Sequence, residues 1–117
     1  MNIKPELIEK FKMRQTASAE NLKSRIGQVL KIQSWETSEY IDVDGVPHTV
    51  LALALCGTGE IVRTEVRAFI EKFRAYVDVF GAEEPDDRPL IKIVPATSKK
   101  RNEFILFELC DENGNPI

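Results

Sequence analysis

Few side chains in this sequence have the types and spacings that do chemistry, and the most suggestive of them combine cations with aromatics. Lys31, Gln33 and Trp35 alternate along a strand-like stretch, placing an ammonium, an amide and an indole on one face, away from Leu30 and Ile32. Single-stranded nucleic acid is held by such a set, because aromatic rings stack on bases while Lys and Arg follow the phosphates. The competing reading packs Trp35 against residues 36–47 or a partner protomer, and the pattern weighs the two evenly. Lys99-Lys100-Arg101 forms a second basic element with Phe104 just behind it, and Lys92 lies on the polar side of the preceding strand. A three-residue basic turn alone is more often merely solvated. It gains weight if it converges with Trp35.

Catalytic signatures are weak. His48, the only histidine, follows Pro47 in a loop or strand edge without an identifiable Ser or Cys partner, so a structural or exposed role is the commoner one. Asp42 and Asp44, beside Glu39, place carboxylates close enough to consider a divalent metal, although a solvated acidic loop is more usual. Glu83-Glu84-Pro85-Asp86-Asp87 lacks the ligand spacing of a calcium loop, and Gly57-Thr58-Gly59 lacks the Lys-Ser/Thr of a phosphate loop. Cys56 and Cys110 lack metal or redox spacing and read as buried thiols. No catalytic residue, metal ligand or cofactor is assigned, and an enzyme is not expected.

The 117 residues, 43% hydrophobic and 30% charged, suit one domain, expected over 1–117 with a loosely ordered tail at about 111–117. A net charge of −3 argues against duplex binding by bulk positive charge. The charges are nevertheless blocked: residues 1–32 hold seven Lys/Arg against three acids, residues 33–62 hold five acids and no Lys or Arg, and residues 89–102 hold four bases and no acid. Val50 to Cys56, the longest apolar run, is too short to span a bilayer, and the first residues lack a signal-peptide pattern. A cytoplasmic protein without membrane contact is expected.

Pro5 at a first helical position, with Leu7, Ile8 and Phe11 on one face, predicts a helix over about 4–14, and Ser18 is a candidate cap for a turn over 19–23. The first strand starts at Ile26 and runs to Trp35. Residues 36–47, with the Asp44-Gly45 turn signal, form either a long loop or a small hairpin. Val50 to Cys56 is apolar on both faces and favours a central strand, turned by Gly57-Thr58-Gly59 into a strand over 60–63. Thr64 is then a candidate N-cap for the clearest helix, striped by Val66, Phe69, Ile70, Phe73 and Val77 and ended by Phe80-Gly81. Strands over 90–94 and 104–110 follow.

Three strands, a helix and two strands is the order of the five-stranded OB barrel. The expected fold is mainly β with one central helix, an OB-like barrel (β-β-β-α-β-β) preceded by a short N-terminal helix. Over about residues 24–110 the chain resembles the short OB-fold single-stranded DNA-binding proteins of bacteriophages and mobile elements, in length and layout rather than in any invariant motif. That resemblance implies sequence-tolerant binding of single-stranded DNA in replication or recombination, in a bacterial or phage-infected cell, through Lys31, Gln33, Trp35, Tyr40, Lys92, Lys99, Lys100, Arg101 and Phe104. Replication or recombination proteins are then expected partners, and a homodimer stays open. The acidic first loop departs from the pattern because it repels phosphate. It supports the alternative, a protein-interaction module or small regulator that uses its acidic loops.

Overall fold

Alternating and striped apolar residues fold this chain into a mainly β protein with two helices and two sheets, in a computed structural model that describes residues 2–14 and 19–117. In chain order the elements are α1 (Pro5–Arg14), β1 (Glu20–Asn21), a 3-10 turn (Leu22–Arg25), β2 (Val29–Leu30), β3 (Ile32–Ile41), β4 (Pro47–Leu55), β5 (Ile61–Thr64), α2 (Arg67–Phe80), a second 3-10 turn (Pro85–Asp87), β6 (Leu90–Thr97) and β7 (Glu103–Cys110). One sheet runs β1-β5-β4-β3 and the other β2-β6-β7. The candidate cap Ser18 lies outside the described residues. The first 3-10 turn is capped by Asn21, whose Oδ1 accepts from Lys23 N at 3.0 Å. No helix among the described residues is long and apolar enough to cross a membrane.

The two-sided apolarity of β4 has a direct cause. Leu51, Leu53 and Leu55 enter a core shared with Phe69, Ile70, Phe73 and Tyr76 of α2 and with Ile91, Ile93, Ile105 and Phe107 of the second sheet. Ala52 and Ala54 face the other way, where their small side chains let α1 approach and Met13 pack against them. Fully burying a side chain such as Phe69 or Phe73 contributes about 1.5–3 kcal/mol, so the α2 stripe is a main source of stability.

The closed five-stranded barrel does not form. The expected first strand divides around Lys31: β2 pairs with β6, and β3 pairs with β4. Ile26 lies outside it, because Gly27, at a φ of 88°, turns the chain there. Closure requires β5 to pair with β7, but β1 occupies an edge of β5 in parallel, through Glu20↔Val62 and Asn21↔Arg63. On β7, Lys72 Nζ donates to Phe107 O at 2.6 Å and Ile117 N donates to Leu109 O at 3.2 Å.

The long helix is also shifted. Thr64 ends β5, is buried, and accepts a hydrogen bond from Val66 N at 3.1 Å, while Val66 takes the N-cap position and Phe80 the last helical one. Thr64 therefore terminates a strand rather than capping the helix.

Residues 36–47 resolve as a hairpin whose turn, Asp42 to Val46, is tied by its own aspartate. Asp42 Oδ1 accepts from Asp44 N and Val46 N, each at 2.9 Å, and Gly45 adopts a φ of 80° that favours glycine. The tail repeats the device: Asp111 Oδ1 accepts from Asn113 N and Asn115 N at 2.9 Å, with Gly114 at a φ of 79°. Asp-x-Asp/Asn-Gly is the shared pattern. The expected loose tail is thereby folded back, with Pro116 bridging to Cys110.

Candidate nucleic-acid interface

The expected shared face of Lys31, Gln33 and Trp35 is undone by a β-bulge. Ile32 pairs with Leu55 but Ser34 pairs with Ala54, so Gln33 is an extra residue and every later side chain changes face. Trp35 comes to lie opposite Leu53, on the core side. Its ring meets Phe73 edge-on at 5.8 Å, and the Arg88 guanidinium sits 4.9 Å from its centroid. Arg88 is fixed in turn by Nη1 donating to Ile32 O at 3.0 Å and Gln33 O at 3.3 Å, and by Nε donating to Glu83 O at 2.9 Å. Trp35 is half-buried structure rather than an open stacking platform.

The other members of that expected face are separated from it. Lys31 is ion-paired with Asp86, which holds the ammonium above and the Asp86 carboxyl below their ordinary values. A cleft of about 490 Å³ beside Lys31 is also lined by Asp111 and Glu112, a setting that repels phosphate. Gln33 is exposed, and its Oε1 accepts from Cys56 Sγ at 3.3 Å. Burial pushes the Cys56 thiol up, as it does Cys110, and both cysteines are free.

Tyr40 belongs to a third locality. Its ring stacks on His48 at 4.9 Å with 13° between planes, and its hydroxyl donates to Glu65 Oε1 at 3.0 Å. His48 bridges Asp42, at 2.7 Å from Nε2, and Glu65, at 3.2 Å from Nδ1. The His48 contact, followed by the Val46 amide, holds the Asp42 carboxyl below its ordinary value. Both Asp42 oxygens are thus occupied by the hairpin itself. Among the described residues no group of three or more His, Cys, Asp or Glu side chains could hold a metal ion.

Lys92, Lys99, Lys100, Arg101 and Phe104 are brought onto one hairpin by the β6–β7 register. Residues Ser98 to Asn102 form its turn, closed by Ser98 N donating to Asn102 O at 2.9 Å and Asn102 N donating to Ser98 Oγ at 3.1 Å. Lys99, Lys100 and Arg101 are exposed on this turn, and none of them takes part in an ion pair among the described residues. Phe104, paired with Ala96, is partly exposed one residue beyond the Thr97↔Glu103 pair that closes the strands. Lys92 shares its outward row with Val94 and Ala96, four residues or about 13 Å further from the turn, opposite Glu108.

Phe104 also lines a groove of about 310 Å³ between β7 and the end of β5, together with Lys23, Asn21 and two carboxylates, Glu65 and Glu103, so the cationic character of this hairpin lies on its turn rather than in the groove. Sequence reasoning missed Lys23 because only the fold carries it to Phe104. It missed Arg88 for the same reason. The chain matches no protein-family model, and comparison with curated proteins and with solved structures found no match.

Proposed function

We propose that the protein binds single-stranded DNA without strong sequence preference, on the β6–β7 hairpin rather than around Trp35. The observation that carries this reading is the exposed Lys99-Lys100-Arg101 turn, without an ion-pair partner among the described residues, standing beside the partly exposed ring of Phe104. Cations on a short turn can follow successive phosphates while one aromatic takes a base. Lys92 extends the surface along β6. The strand order supports the same reading: with β2 and β3 taken as one bent strand, β5-β4-β3/β2-β6-β7 is an open relative of an OB-like arrangement, with α2 between its third and fourth long strands. In that view Asp42 to Val46 and Ser98 to Asn102 are the loops after the first and fourth strands. Roles in replication or recombination belong to the same proposal.

Anisotropy of a labelled oligo-dT tests it. The parent should bind at low salt, and replacing Lys99, Lys100 and Arg101 together by Ala should flatten the slope of log affinity against log salt by about 2, at roughly 0.7 per single-strand phosphate contact. Phe104→Ala should weaken binding by about 5- to 150-fold, the value of one stacked base. No binding by the parent at low salt defeats the proposal.

A further inference from the structure

We infer that copies of this chain associate head to tail, the apolar and basic face of α1 on one copy docking on the apolar and acidic tip of the β3–β4 ribbon on the next. The first half of the contact is an inverted helix. α1 holds its own sheet with its polar side: Glu9 accepts from Ser34 Oγ, Arg14 pairs with Glu36 at 2.8 Å, and only Met13 is buried. Leu7, Ile8 and Phe11, which fall within about 100° on a helical wheel, point away, at 56%, 43% and 62% exposure. An amphipathic helix with its apolar stripe facing water lacks a partner.

The second half is the ribbon. Beyond Leu51↔Thr64, the last β4–β5 pair, β3 and β4 continue alone from Ser38↔Val50 to Ile41↔Pro47. At the tip Ile41 is 72% exposed, Val43 fully exposed and Val46 49% exposed. Charge selects which surfaces meet. Lys4, Lys10 and Lys12 on the α1 side, and Glu39 and Asp44 on the ribbon, have no ion-pair partner among the described residues. Pairing α1 with α1 sets cations against cations, and tip with tip sets carboxylates against carboxylates. Glu6, the other carboxylate of α1, has no ion-pair partner among the described residues and lies about 150° around the helix from the centre of the apolar stripe, so the heterologous contact is the one that sets opposite charges beside both apolar patches and covers them together. Both patches are exposed within one chain, so neither covers the other in cis. Each is small beside the roughly 800 Å² per partner of a standard interface, so association should be weak.

Sedimentation equilibrium across a concentration series, without nucleic acid, tests the inference independently of DNA binding. The parent's mean mass should rise with concentration past that of a dimer, because a heterologous contact need not close, and should fall with added salt. Leu7→Ser/Phe11→Ser and Ile41→Ser/Val43→Ser alter solvent-exposed positions, so both variants should fold, and each alone should remain monomeric. Mixed in equal amounts they should form a 1:1 dimer, since one retains the ribbon and the other retains α1. A parent that stays monomeric throughout overturns the inference. So does association lost only in the α1 variant and not recovered on mixing, the signature of a two-fold α1 pair.

Discussion

Trp35 changes meaning once its partners are known. Half-buried against Phe73 and covered by Arg88, it contributes to stability through both packing and cation–π attraction. Trp35→Ala should therefore lower stability by about 2–4 kcal/mol, slightly below the range for fully buried aromatics, read from a lower urea midpoint at unchanged slope. Oligonucleotide affinity should stay the same, and a large loss of affinity in a variant of parental stability would return Trp35 to the binding surface. Asp42 carries the pH dependence of the ribbon turn. Its carboxyl is held below its ordinary 3.8 by His48 and by the Val46 and Asp44 amides. A depressed folded value means that stability is fully present above the unfolded value and is lost as pH falls through the folded one. The ribbon turn should thus hold at pH 5 and above and loosen only below about 3.8. NMR shifts of the Asp44 and Val46 amides should report that transition. Asp42→Asn should abolish it, and an unaltered titration in that variant would assign it to another group.

At the scale of elements, one residue decides the face of a whole strand. Removing Gln33 takes out the bulge and forces either Ile32 or Trp35 off the core side, so its deletion should destabilise more than Trp35→Ala. Gln33→Ala, which keeps the backbone count, should stay within about 0.5 kcal/mol. Denaturation midpoints of the two variants separate backbone register from side-chain loss, and equal effects would remove the bulge from the explanation. The same residue explains what the sequence concealed. Period-two reasoning extends Lys31, Gln33 and Trp35 onto one face only if pairing is uninterrupted, and no glycine marks the interruption. By contrast, Phe69, Ile70 and Phe73 were legible because a stripe at helical spacing needs no knowledge of a partner strand. Its boundary was not, since Thr64 suits either a cap or a buried strand end. In α1 the periodicity revealed a helix but not which side docks: Met13 turns inward while Leu7, Ile8 and Phe11 face out. The Lys99–Arg101 turn was readable for a simpler reason, since charges at the apex of a short hairpin have nowhere to go but solvent. Lys31 was not, because its partner Asp86 lies in a distant loop.

The whole molecule is shaped by two sheets that pack together without closing into a barrel. An open assembly leaves strand edges whose unpaired amides and carbonyls can recruit another chain, and edges of this kind are usually covered or charged. Here the free side of β7 is blunted by Lys72, whose ammonium satisfies the Phe107 carbonyl while also lying 5.2 Å from the Phe107 ring centroid. The folded-back tail does the same for Leu109 through Ile117 N. Lys72→Met keeps much of the aliphatic stem but removes both the donor and the charge. It should lower stability by about 1.5–3 kcal/mol, the range for a hydrogen bond to a charged group, and it should increase light scattering on heating as the edge becomes available. If Lys72→Met loses stability without any gain in scattering, Lys72 acts only as a packing and hydrogen-bonding residue. If scattering rises while the head-to-tail contact of α1 and the ribbon is blocked by Ile41→Ser/Val43→Ser, the aggregate grows through β7, and edge protection is what allows an unclosed sheet to persist as a folded protein.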